Sequence, residues 1–171
     1  TVSILSNGKS VSKKEESMMK DNTIRRLNEG FITAFVNEYQ PSNPAYKPQF
    51  ISNNYREGKK VISSLEEELL SCEEFFISVA FITRGGITPL LQTFKELESR
   101  KIPGKILTTD YLLFSDPKAL RMLAGFSNIE LKMFLTKNGQ EGFHTKGYLF
   151  KNEEIYRIII GSSNMTRSAL T

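Results

Sequence analysis

The residues with the most chemistry to offer lie between positions 143 and 170. His144, the chain's one histidine, stands two residues before Lys146, and an apolar run over 155–160 ends in Gly161, Ser162, Ser163 and Asn164. Alternate side chains of an extended strand share a face, so His144 and Lys146 point the same way, with Tyr148 and Phe150 beyond them. Small polar residues opening a helix over 165–170 offer backbone N–H groups to an anion. An imidazole, an ammonium, two hydroxyls, a carboxamide and free amides converging on one point suit a phosphate. Neutral imidazole is a competent nucleophile or general base near pH 7. Lys146 and Asn164 can hold charge developing on phosphoryl oxygens, and Ser162 can add a hydrogen bond. A carboxylate such as Glu153 could orient the imidazole. The bland reading of a lone histidine is a structural one; a lysine sharing its face weighs against that, because a buried ammonium is costly without an anion.

The elements that must carry these residues follow from pattern. Residues 75–82, FFISVAFI, form an apolar run of strand length and are read as the central strand. Thr83, Arg84, Gly85 and Gly86 turn the chain into a helix with Ile87, Leu90, Leu91, Phe94 and Leu97 on one stripe. The glycine pair is neither a Walker loop nor GxGxxG; it is a tight turn, or it brings Arg84 and the local amides to a ligand at a strand end. A second strand over 104–109 follows. Asp116 then caps a helix with Pro117 at its first position and Ala119, Leu120, Leu123 and Phe126 inside. A third strand over 129–135 and a polar loop over 137–142 lead to the His144 strand, and 155–160 reads as a buried strand beside it. Three strands joined through helices, then two adjacent strands and a helix, predict an α/β fold with a mixed sheet.

His-x-Lys, a turn, an apolar strand and Gly-Ser-x-Asn resemble the HKD motif of the phospholipase D superfamily. In this chain they are His144, Thr145 and Lys146, then Gly161, Ser162, Ser163 and Asn164. Residues 75–171 resemble the phospholipase D-like nuclease module of bacterial superfamily II helicases and some restriction endonucleases. That resemblance implies an α/β/α sandwich and phosphodiester cleavage through a phosphohistidine, with no metal and no cofactor. One histidine attacks phosphorus, and a second protonates the leaving alcohol and then activates water. It makes His144, Lys146, Asn164, Ser162 and Glu153 the catalytic candidates, and Ser163, Gly161, Arg84 and Arg167 the substrate-binding ones. The motif's acid falls at Lys151, so Glu153 or Glu154 would have to replace it. Two histidines are needed and the chain has one, which implies a homodimer with facing sites or a second motif beyond Thr171.

Ahead of that module, residues 1–53 read as a serine- and lysine-rich tail, a helix over 21–39 and a connector with Pro41, Pro44 and Pro48; residues 54–171, opening on a helix over 54–71, read as the phospholipase D-like domain. Glu66, Glu67 and Glu68 read as a solvated face. With 171 residues and 39% apolar residues the chain is one domain with an extension, expected to be a piece of a longer protein. A net charge of +4 and a pI near 9.1 are compatible with nucleic acid. The lone Cys72 rules out an internal disulfide and fits a cytoplasmic protein, and no apolar run is long enough to span a bilayer. The expected partners are DNA, a second copy and a helicase domain in the same longer chain. The competing expectation is a catalytically impaired nucleic-acid-binding or dimerisation module of a helicase, which Lys151 at the acid position favours.

Overall fold

A computed structural model describes residues 13–33, 48–54, 56–136, 142–153 and 155–171. Much of the serine- and lysine-rich start, the helix residues expected beyond 33, Pro41, Pro44 and most of the polar loop over 137–142 fall outside these residues, as does Glu154. The chain divides into two compact units, Thr1–Phe50 and Ile51–Thr171. The first contains helix α1, Lys13–Thr33, on which Ile24 and Leu27 are exposed.

The second unit is built on a five-stranded sheet. Its elements are α2 (Val61–Ser71), β1 (Glu74–Val79), α3 (Arg84–Ile87), a 3-10 turn, α4 (Leu91–Ser99), β2 (Gly104–Thr109), a 3-10 turn Tyr111–Leu113, α5 (Pro117–Ala124), β3 (Ile129–Phe134), β4 (Lys146–Asn152), β5 (Ile155–Ile160) and α6 (Arg167–Leu170). The strand order is β3-β2-β1-β4-β5, so the apolar run that starts at Phe75 supplies the central strand. β1, β2 and β3 are parallel, β4 runs antiparallel to β1, and β5 is antiparallel to β4.

Helix α2 begins later than residue 54. Asn54 and Lys59 pair through their backbones, and Asn53 Oδ1 then accepts the Val61 N–H at 2.9 Å, satisfying one of the donors that a helix start leaves open. Its apolar stripe, Val61, Ile62, Leu65 and Leu69, is buried. Asp116 caps α5 through the Lys118 N–H at 2.8 Å, as its pairing with Pro117 predicts.

Helices cover one face of the sheet. Phe75, Ile77 and Val79 of β1, Ile106 of β2, and Tyr148 and Phe150 of β4 alternate into a single cluster with Leu65, Leu69, Phe94, Leu97 and Leu123. The opposite side chains, among them Phe76, Leu107, Leu149, Ile158 and Ile160, line an open apolar cavity of about 480 Å³. The three-layer α/β/α expectation is therefore met only in part: among the described residues of this unit there are two layers. A continuous apolar run does not say whether both faces of a strand are covered. β5 also departs from the buried strand expected, because it lies at the sheet edge; Ile155, Tyr156, Ile158 and Ile160 are all exposed.

Candidate functional site

β4 enters the sheet at Lys146, opposite Val79, the last residue of β1. The strand's alternation sends Lys146, Tyr148 and Phe150 to the helix-covered face, and all three are buried. His144 precedes the strand and is exposed, with its ring 5.8 Å edge-on from that of Phe81. Lys146 folds back to it: Nζ contacts His144 Nδ1 at 2.7 Å and donates to the His144 carbonyl at 2.6 Å. Burial holds the Lys146 ammonium below the ordinary lysine range. Among the described residues no carboxylate makes an ion pair with it.

The turn after β5 is held against the end of β1. Gly161 N donates to the Lys146 carbonyl at 3.2 Å, and the buried Tyr148 hydroxyl donates to the Ser163 carbonyl at 2.8 Å. Burial pushes the Tyr148 phenol well above its ordinary range, so it stays a donor. Asn164 Oδ1 accepts the Phe81 N–H at 3.1 Å. Met165 N donates to Phe81 O at 3.1 Å, and Thr83 N to Met165 O at 3.0 Å. Asn164 is thus structural through its oxygen, and its Nδ2 makes no hydrogen bond to the described residues. The same holds for the backbone amides of Ser162, Ser163 and Asn164. Helix α6 starts only at Arg167, later than the 165 expected, because Met165 bridges to Ile82 past the end of β1 and the Thr166 N–H closes on Asn164 O at 2.9 Å. The donors that remain come from the turn and not from a helix start.

His144, Lys146, Asn164 and the Ser162–Ser163 turn therefore meet beside the carboxyl end of the central strand, where open α/β sheets bind ligands. Arg84 opens α3 and is exposed; Arg167 opens α6, and its side chain packs within 3.2 Å of where a Cβ on Gly85 would stand. α3 and α6 thus adjoin, with Arg167 packed beside Gly85.

Glu153 is not in the site. It occupies the β4–β5 turn with φ 52°, its N–H donating to Glu73 Oε2 at 3.1 Å. Seven residues of extended chain separate it from Lys146, roughly 24 Å at about 3.4 Å per residue. The expectation that Glu153 orients the imidazole is overturned by that span. Lys151 faces Glu74 at the same far end, so a lysine there places no charge near His144. Arg157 pairs with Glu68 at 2.7 Å and takes one member of the acidic run out of solvent.

Two neighbours escaped the sequence reading. Phe81 lies between His144 and the exposed Phe114, 5.2 Å from the latter in an edge-to-face pair. The signal was Phe81's place two residues past β1, at the strand end that carries Arg84. Among the described residues no group of three or more His, Cys, Asp or Glu could hold a metal ion, and no helix is long and apolar enough to cross a membrane. Cys72 is buried, its thiol pushed up to about 11 by that burial.

No family model matches the chain, and no curated protein matches it. Among solved structures, the chain is similar to TrmBL2, an archaeal chromatin protein whose structure is described as showing a novel mode of DNA binding. The two share 17% identity with a TM-score of 0.38, over 81% of this chain and 48% of that one. The chain thus spans about half the length of that protein. Likeness of this degree carries no argument about chemistry.

Proposed function

We propose that the chain is a phospholipase D-like module that binds a phosphodiester of DNA at the His144–Lys146–Asn164 site and cleaves it without a metal, as part of a helicase or restriction system. The observation that carries the reading is Lys146. Its relative exposure is 6%, and no carboxylate pairs with it among the described residues. A buried charge of that kind calls for an anion, and the donors beside it are neutral amides, hydroxyls and a carboxamide, which suit phosphate oxygens. The net charge of +4 favours a polyanion over a neutral surface.

In the cleavage reaction, the His144 Nε2 lone pair bonds to phosphorus as the P–O bond to the leaving alcohol breaks. The alkoxide takes a proton from the imidazolium of a second histidine. That imidazole then removes a proton from water, whose oxygen displaces His144 and frees the phosphate monoester. The second histidine comes from His144 of a second copy in a homodimer. The lone buried cysteine fits a reducing cytoplasm.

One observation favours the other reading, a binding or dimerisation module. A charged Lys146 donating to Nδ1 leaves the neutral ring's proton on Nε2, where it can hold a phosphate oxygen but cannot attack phosphorus. Cleavage needs that proton moved, and binding does not.

Plasmid DNA incubated in EDTA separates the two. The nuclease reading expects nicking by the wild-type chain, loss of it in His144→Ala, and a dimeric mass in solution. Retained DNA binding with no nicking would transfer the assignment to the binding module.

A further inference from the structure

Beside the phosphate site lies a second concavity, of about 650 Å³, lined by Phe81, Phe114, Arg167, Thr166 and Ser168 among others. Its volume falls within the roughly 300–1,000 Å³ of ordinary ligand sites. Phe81 joins the two, since its ring meets His144 edge-on at 5.8 Å and Phe114 edge-on at 5.2 Å. Phe114 is 60% exposed, a large aromatic left with a free surface.

The turn presenting Phe114 is strained. Leu112 and Leu113 both take left-handed φ, 56° and 52°, a region that a branched side chain enters at a cost. The cost is not repaid by burial, because Leu112 is 59% and Leu113 84% exposed. The turn is nonetheless braced. Thr109 Oγ1 accepts the Tyr111 N–H at 3.2 Å and Asp110 accepts the Thr136 N–H at 2.8 Å. Gly142, in the segment that leads to His144, passes so close that a Cβ would stand 2.5 Å from Tyr111 Cβ. One bracing residue thus belongs to the same segment as the imidazole.

We infer that this concavity is a subsite for one unpaired nucleobase next to the bound phosphate, with Phe114 as the stacking face, Arg167 as a guanidinium against base or phosphate, and the Thr166 and Ser168 hydroxyls at the base edge. An aromatic ring and an arginine one ring away from a phosphate site match what a nucleotide offers, a flat π-face tethered to an anion. A base paired in a duplex cannot enter such a recess, so the site selects single strands or frayed and flipped nucleotides. The inference rests on the phosphodiester reading of His144 and Lys146.

The test uses the whole chain and follows fluorescence anisotropy of a labelled oligothymidylate, the same strand made abasic, and the corresponding duplex, all with cleavage-resistant phosphorothioate linkages so that binding is read without hydrolysis. Wild type is expected to prefer the base-bearing single strand over both others. Phe114→Ala should weaken that strand about tenfold or more and leave the abasic strand unchanged, while Phe114→Tyr restores binding. Lys146→Met should weaken both single strands alike. If Phe114→Ala changes nothing, or weakens the abasic strand equally, the base subsite is overturned while a Lys146→Met effect keeps the phosphate site. Base-dependent binding that ignores Lys146→Met would keep the subsite and remove the phosphodiester reading beside it. Binding of none of the three nucleic acids, or equal binding of duplex and single strand, overturns the subsite.

Discussion

Lys146 is a residue whose cost to the fold is a clue to its use. Its ammonium is buried and has two neutral acceptors, both on His144. Lys146→Met, which keeps the stem and drops the charge, should therefore stabilise the unliganded protein by about 1–3 kcal/mol, a shift of a few degrees in melting temperature. The sign with pH follows from the lowered pKa. The unfolded chain holds the lysine proton to higher pH than the folded one, so the penalty is full at neutral pH and fades as pH rises toward the ordinary value of 10.5. The advantage of the methionine variant should shrink over the same range. Added phosphate should raise the melting temperature of wild type and leave Lys146→Met unmoved; equal responses would remove Lys146 from any anion site. The nearness of His144 and Lys146 was legible from their spacing, but not as two side chains on one strand face: β4 begins at Lys146, and His144 lies before it, exposed, while Lys146 is buried. The exclusion of Glu153 is legible too, from rise alone, because seven residues of strand carry it to the far end of β4. Nothing in the sequence tells that Lys146 would fold back onto His144 Nδ1, since that depends on how the chain enters β4.

At the scale of elements, the site depends on two segments far apart in sequence lying closer than side chains permit. α3 runs against the chain after β5 so tightly that a Cβ on Gly86 would stand 2.1 Å from the Met165 carbonyl oxygen. The contact is backbone on backbone, so no rotamer change relieves it. Gly86→Ala should cost about 1–3 kcal/mol and push Met165 off Phe81, loosening the Ser162–Asn164 turn. Gly147→Ala is the control: a Cβ there meets nothing within 4 Å, and alanine in a strand should be neutral or stabilising by up to about 1 kcal/mol. Urea unfolding of the two variants checks the contrast, and a Gly86→Ala protein as stable as Gly147→Ala would show the approach is not tight. Sequence reading located this turn and offered a tight turn as one of two uses for the glycines. The partner it is tight against lay about 80 residues away, and local pattern holds no trace of such a distance. The strands between were better served: period-two burial and turn residues fix 104–109 and the capped α5, because those are local constraints.

At the scale of the whole molecule, the core tells where cooperative stability resides. The residues that form the buried cluster run from Val61 to Leu170, with Ile51 packed on their margin. Asn53 ties the two ends of that unit, accepting from Val61 N–H and donating to the Ala169 carbonyl at 3.1 Å. On α1 the described apolar side chains Ile24 and Leu27 are exposed, and Phe50 is 95% exposed. A cluster with every described member after residue 50 should fold without what precedes it. Residues 51–171 expressed alone should unfold in one cooperative transition, with an unfolding free energy within about 0.5 kcal/mol of the full chain's. Beginning instead at residue 54 should cost about 1 kcal/mol more, because it removes the Asn53 oxygen that accepts from the first N–H of α2. Circular dichroism melts of the three lengths decide it. A broad, non-cooperative melt for 51–171 would mean that the first 50 residues contribute to the core after all, and equal midpoints for 51–171 and 54–171 would remove the role given to Asn53.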